Sequence, residues 1–71
     1  MSFYEWLVEQ IGQRNDLVGD FAFDAMHDSW AAKETATYQE WKAHLPSGNA
    51  MRLGLALAWR EYKNVTRRQR P

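Results

Sequence analysis

Two sets of charged residues have types and spacings that could do chemistry. Asp16, Asp20, Asp24 and Asp28 recur at four-residue intervals. A helix would align them as one acidic ridge, in which neighbouring carboxylates repel by about 0.2–0.5 kcal/mol per pair. Such a ridge attracts cations, and Asp24, His27 and Asp28 together would offer a metal three donors. They lack the ligand density of a calcium or zinc motif. A solvated face, with Asp16 and Asp20 favoured by a helix N-terminus, is the plainer account, and a ridge meeting basic groups of another molecule or of the chain's own last helix is the sharper one. Arg60, Lys63, Arg67 and Arg70, spaced 3, 4 and 3, form the counterpart, a basic stripe along one side of a helix and its tail. Cations in such a row suit phosphates, although surface helices also carry them as a solvated face.

Covalent catalysis has no footing. There is no cysteine, and therefore no disulfide, thiolate metal site or thiol nucleophile. No Gly-rich phosphate loop, nucleophile elbow or His-Glu zinc motif occurs. Ser2, Ser29 and Ser47 fall at expected helix boundaries, where capping accounts for them. His44 lies just before Pro46, near a helix C-terminus, and reads as a cap rather than a ligand. A pocket of even about 300 Å³ is hard to enclose in so short a chain. The expectation is a protein that is not an enzyme, with no cofactor, no bound metal and no small-molecule substrate.

The charges sum to zero but are split by position. Residues 1–40 carry eight acids against two bases, and residues 41–71 carry seven bases against one acid, Glu61, so the two parts stand at −6 and +6. Few charges of a small domain are buried, so the fold should present an acidic and a basic surface. That layout suits a protein–protein interaction module, an adaptor or a self-associating unit, pairing Asp20, Asp24 and Asp28 with Arg60, Lys63 and Arg67. Trp6 and Phe23 fall off the main apolar stripes of their helices, and so lie either at a contact surface or partly in the core. The alternative is a weak, non-sequence-specific nucleic-acid-binding module using Arg60, Lys63, Arg67 and Arg70. Zero net charge and the acidic ridge argue against it, and the stripe shows no interleaved exposed aromatic on which bases could stack.

Four helices must position these groups. Ser2 with Glu5, and Thr37 with Glu40, are capping boxes. Asp16 is an N-cap, and Asn49 is the candidate N-cap of the last helix after a Ser47-Gly48-Asn49 turn. Gly12 offers a left-handed stop, and Pro46 ends the third helix by excluding Leu45 from the α region. The spacing predicts helices over 3–12, 17–28, 38–45 and 50–66, in one domain over 1–66 with a frayed basic tail over 67–71. Met51, Leu55, Ala58, Trp59, Tyr62 and Val65, flanked by Leu53 and Leu57, give the last helix a wide apolar face, which marks it as the hub. Gly54 within it implies that another helix crosses closely. Phe3 and Trp59 are the strongest core candidates among ten aromatic residues. The longest apolar run, Leu53 to Trp59, is seven residues, too short to span a bilayer. The fold class is all-α, a compact bundle of four or five short helices, and the expected setting is the cytoplasm of a bacterial or phage system with no membrane partner.

Ser2, Phe3, Tyr4 and Leu7 open the chain, Phe21-Ala22 and His27-Asp28 mark the second helix, and Tyr38, Leu45, Ala58, Trp59 and Tyr62 complete a pattern in order and spacing. Together these resemble the YozE-type family of short bacterial proteins, over roughly residues 2–65. The resemblance implies a fold similar to the sterile alpha motif (SAM) and no particular chemistry. Where the family pattern has a Phe-Pro pair after the second helix, this chain has Ala31-Ala32 beside Trp30, which leaves that loop's conformation open and makes Trp30 the residue to fill the same part of the core.

Overall fold

Each of the first three helices starts where a side chain can take up its orphan amides. Ser2 Oγ accepts from the Glu5 N–H at 3.1 Å, while Glu5 accepts from the Ser2 N–H. Thr37 and Glu40 repeat the exchange at 3.2 and 2.9 Å. Asp16 Oδ1 accepts from the Gly19 N–H at 3.0 Å. These caps open α1 (Phe3–Glu9), α2 (Leu17–Met26) and α3 (Tyr38–His44) in a computed structural model that describes residues 1–46 and 50–68, with α4 (Ala50–Arg68) completing the chain. No strand occurs among the described residues. The Ser47-Gly48-Asn49 turn, Asn49 as N-cap, and Arg70 lie outside the described residues.

All four helices end at a residue other than the spacing predicts, α3 by a single residue, at His44. The α1 ladder stops at Glu9; the amides of Gln10 and Ile11 then bond three residues back in a tighter turn, and Gly12 reverses the chain at φ 78°. α2 ends at Met26 rather than 28, because Asp28 turns its carboxylate to the Trp30 N–H at 2.8 Å. Lys33 Nζ then donates to the free carbonyls of Met26 and Asp28 at 2.7 and 2.9 Å. At the C-terminus α4 continues through Arg67 and Arg68, past the expected stop at 66. Leu45 is extended at φ −82°, ψ 147° before Pro46, as the proline requires. Arg52 of α4 donates to the Lys42 and Leu45 carbonyls at 2.9 and 3.3 Å, closing the end of α3.

α4 is the hub: every other helix packs on it, α2 most extensively. At Gly54 the α2 backbone comes so near that an added Cβ would lie 2.9 Å from the Leu17 carbonyl oxygen and 2.9 Å from Phe21 Cβ. The largest fully buried side chains are Trp41, Phe21, Leu7 and Leu55. Trp30 packs edge-on to Trp41 with ring centres 4.9 Å apart, so the loop aromatic is partly buried against the core. A second aromatic cluster joins α1 to α4, with Phe3 4.7 Å from Trp59 and 5.4 Å from Tyr62. Phe3 is buried, whereas Trp59 is only partly covered. Leu53 belongs to no core flank, being 53% exposed. Trp6 is corrected as a surface candidate: only 4% of it is exposed, because the rings of Phe3 and Tyr62 pack against it.

Candidate functional site

Folding consumes part of the charge on each surface. Arg14, in the α1–α2 turn, grips Asp16 through Nε and Nη2 and reaches Glu61 of α4 with two N–H groups, both at 2.8 Å. Its guanidinium is held firmly in the charged form by Glu61 and then Asp16. Glu61 is the one acid of the basic part of the chain, and it faces Arg14 rather than its basic neighbours. Arg60, Lys63 and Arg67 therefore make no ion pair among the described residues.

The acidic side is thinned in the same way. Asp16 is taken by Arg14, and Asp28 accepts from His44 Nε2 at 2.8 Å. An ionised carboxylate only accepts, so that nitrogen carries a hydrogen. His44 also stacks on Trp30 at 4.0 Å, with ring planes 8° apart. Asp28 thus leaves the expected ridge, lying beyond α2 and committed to α3. His27 turns Nδ1 to the Phe23 carbonyl at 2.9 Å, and no group of three acidic or histidine side chains that could hold a metal forms among the described residues.

Three carboxyls sit below the usual carboxylate range: Asp28 through the His44 hydrogen bond, Asp16 through Arg14, and Glu5 through the Ser2 amide. A carboxylate whose pKa is lower folded than unfolded contributes stability above its unfolded value, near pH 4, that is lost as pH falls through the folded value. Thermal melts should therefore show Asp28→Asn less stable than the parent at neutral pH, with the gap closing as acid takes the pH below the unfolded carboxylate value and protonates folded Asp28. A gap unchanged by acid would mean that the Asp28–His44 contact contributes nothing through charge.

What remains of the ridge is Asp20 and Asp24, both exposed and without an ion pair among the described residues, flanking Phe23. Phe23 is 52% exposed and is the sole exposed aromatic among those residues. Its ring leans on His27 at 4.3 Å. With Leu17 and Met51 these three border an open groove of about 450 Å³. On the other side, Arg60, Lys63, Asn64 and Arg67 rim a groove of about 480 Å³ whose floor is Tyr38 and Trp59, ring centres 5.7 Å apart. The basic stripe is thus accompanied by aromatics after all. Tyr38 comes from α3, so spacing within α4 could not reveal it, and Trp59 reads as core until its partial exposure is seen.

The profile of the YozE SAM-like fold family matches residues 2–64. The chain belongs to that family. A search of curated proteins and a search of solved structures returned no match. Family membership accounts for the four-helix SAM-like arrangement; the matched span includes the residues of the acidic edge, and of the groove only Arg67 lies beyond it. A shared fold carries no activity with it, so the surfaces themselves must supply the functional reading. No helix among the described residues is long and apolar enough to cross a membrane.

Proposed function

We propose that the protein is a small non-enzymatic interaction module, working in the cytoplasm of a bacterial or phage system, that binds another protein through its two charged faces. One observation carries the reading. After Arg14, Asp16, Glu61, Asp28 and His44 have paired within the molecule, two clusters of unpaired charge among the described residues adjoin an aromatic: Asp20 and Asp24 beside Phe23, and Arg60, Lys63 and Arg67 over Tyr38 and Trp59. Exposed charge alone contributes little to affinity; charge around an aromatic that can be desolvated is the usual composition of a binding hot spot. The full absence of cysteine fits a reducing compartment.

The test is charge reversal on each face, as Asp20→Lys/Asp24→Lys and Arg60→Glu/Lys63→Glu, with Glu9→Lys as an exposed control. Protein captured from extract by the parent should be lost by one or both face variants and kept by the control. Raising salt from about 0.05 to 0.2 M should weaken, without abolishing, a complex that also has an apolar anchor. If both face variants retain every partner, the faces are merely solvated and the reading fails.

A second reading, weak contact with nucleic acid irrespective of sequence, gains from Tyr38 and Trp59 lying beside three cations, the arrangement on which single-stranded bases stack. It leaves the acidic edge unused. Three cations cannot sustain tight binding as salt rises, so submicromolar affinity for a single-stranded oligonucleotide persisting near 0.2 M salt would displace the protein reading.

A further inference from the structure

We propose that the occupant of the Tyr38–Trp59 groove is a second copy of this chain, entering with Phe23 and the carboxylates that flank it. The inference rests on the reading that the two faces bind protein, and it names that protein. The two surfaces match in kind. One offers a ring beside two carboxylates, Asp20 and Asp24, and the other offers two rings beneath three cations, Arg60, Lys63 and Arg67. A groove of about 480 Å³ has room for a phenyl ring, and its rim would then face the carboxylates beside that ring. Aromatic pairs in offset or edge-on contact favour such an insertion.

The fold forbids the two surfaces from meeting within one molecule. At 100° per residue, Ala50 and Met51, which border the acidic edge, project from α4 about 160° away from the mean direction of the groove residues, and the two sets are separated by roughly 16 Å along its axis. The match can be satisfied only between copies, and each copy that uses one face leaves the other free. Such a contact is heterologous, and it grows into open chains unless the rotation closes a ring. The zero net charge of the chain means that copies carry no overall repulsion. Affinity should be modest: a stable interface takes about 800 Å² from each partner, a large fraction of a molecule whose whole accessible surface is 4780 Å².

The experiment uses two variants of the full chain, Phe23→Ala/Asp24→Ala with its acidic edge disabled and Arg60→Ala/Lys63→Ala with its groove disabled. All four side chains are exposed, so both variants should keep the parent's far-ultraviolet circular dichroism. In sedimentation at low salt the parent should grow with concentration. Each variant alone should associate at least about tenfold more weakly, and an equimolar mixture should form a one-to-one dimer that grows no further, because only one competent edge and one competent groove remain. The indole signal of Trp59 in labelled Phe23→Ala/Asp24→Ala should shift when unlabelled Arg60→Ala/Lys63→Ala is added. A parent that stays monomeric at millimolar concentration, or a mixture that stays monomeric, overturns the proposal. So does a groove whose Trp59 signal answers to an oligonucleotide and not to the second copy. Should copies fail to associate while charge reversal still abolishes a foreign protein partner, this inference falls and the interaction reading stands. If charge reversal changes nothing either, both fall.

Discussion

Trp41→Ala should cost about 3–5 kcal/mol, the range for deleting a buried aromatic side chain. A domain of this size has roughly 4–10 kcal/mol of stability in all, so the variant should be largely unfolded at modest urea concentrations or near 37 °C. Trp41 is fully buried, meeting the edge of Phe21 at 5.5 Å and of Trp30 at 4.9 Å. Its indole N–H has no acceptor among the described residues, so the loss is one of packing and cavity rather than of a hydrogen bond. Trp59→Ala should be milder by at least about 1 kcal/mol, since less of its surface leaves water on folding. Urea denaturation monitored by circular dichroism would decide this. If Trp59→Ala proved the more damaging, the centre of the core would lie at the α1–α4 seam and not where α2, α3 and the loop meet.

Gly54→Ala should destabilise the domain by about 1–2 kcal/mol, and Gly54→Val by more, against the ordinary expectation for a helical glycine. In an exposed helix that change gains roughly 1 kcal/mol from helix propensity. Here the new methyl would lie 2.9 Å from the Leu17 carbonyl oxygen and 2.9 Å from Phe21 Cβ, a backbone atom and the root of a buried ring. Neither can swing aside as the end of a long side chain would, so α2 and α4 must part, and overpacking of that kind costs about 1–3 kcal/mol. Thermal unfolding is the measurement. A Gly54→Ala protein that melts above the parent would show that α2 yields easily, and would put the close crossing of the two helices in question.

The sequence by itself determined whatever is settled within one helical turn. Ser2 with Glu5, Thr37 with Glu40, and Asp16 cap their helices because each cap needs only a side chain three residues from an amide. Gly12 and Pro46 act through their own backbone restrictions, and the apolar breadth of α4 announces a helix touched from several sides. The family pattern was legible for the same reason, being carried by residue order and spacing over residues 2–64. Tertiary structure decided everything that depends on which remote groups meet. Arg14 finds Glu61 across 47 positions and His44 finds Asp28 across 16. With Arg14 also holding Asp16 two positions away, these pairings reduce a four-carboxylate ridge to Asp20 and Asp24 and leave the basic stripe uncompensated. Trp6 and Phe23 have similar off-stripe positions, yet one is buried and the other exposed. The stripe on a helix says which side is apolar, while the number of neighbours packed against it decides how wide a sector is covered. α1 has Tyr62 of α4 against Trp6, whereas α2 presents Phe23 to an open groove. The basic groove itself needed α3 to bring Tyr38 beside Trp59, a juxtaposition that periodicity within a single helix cannot encode.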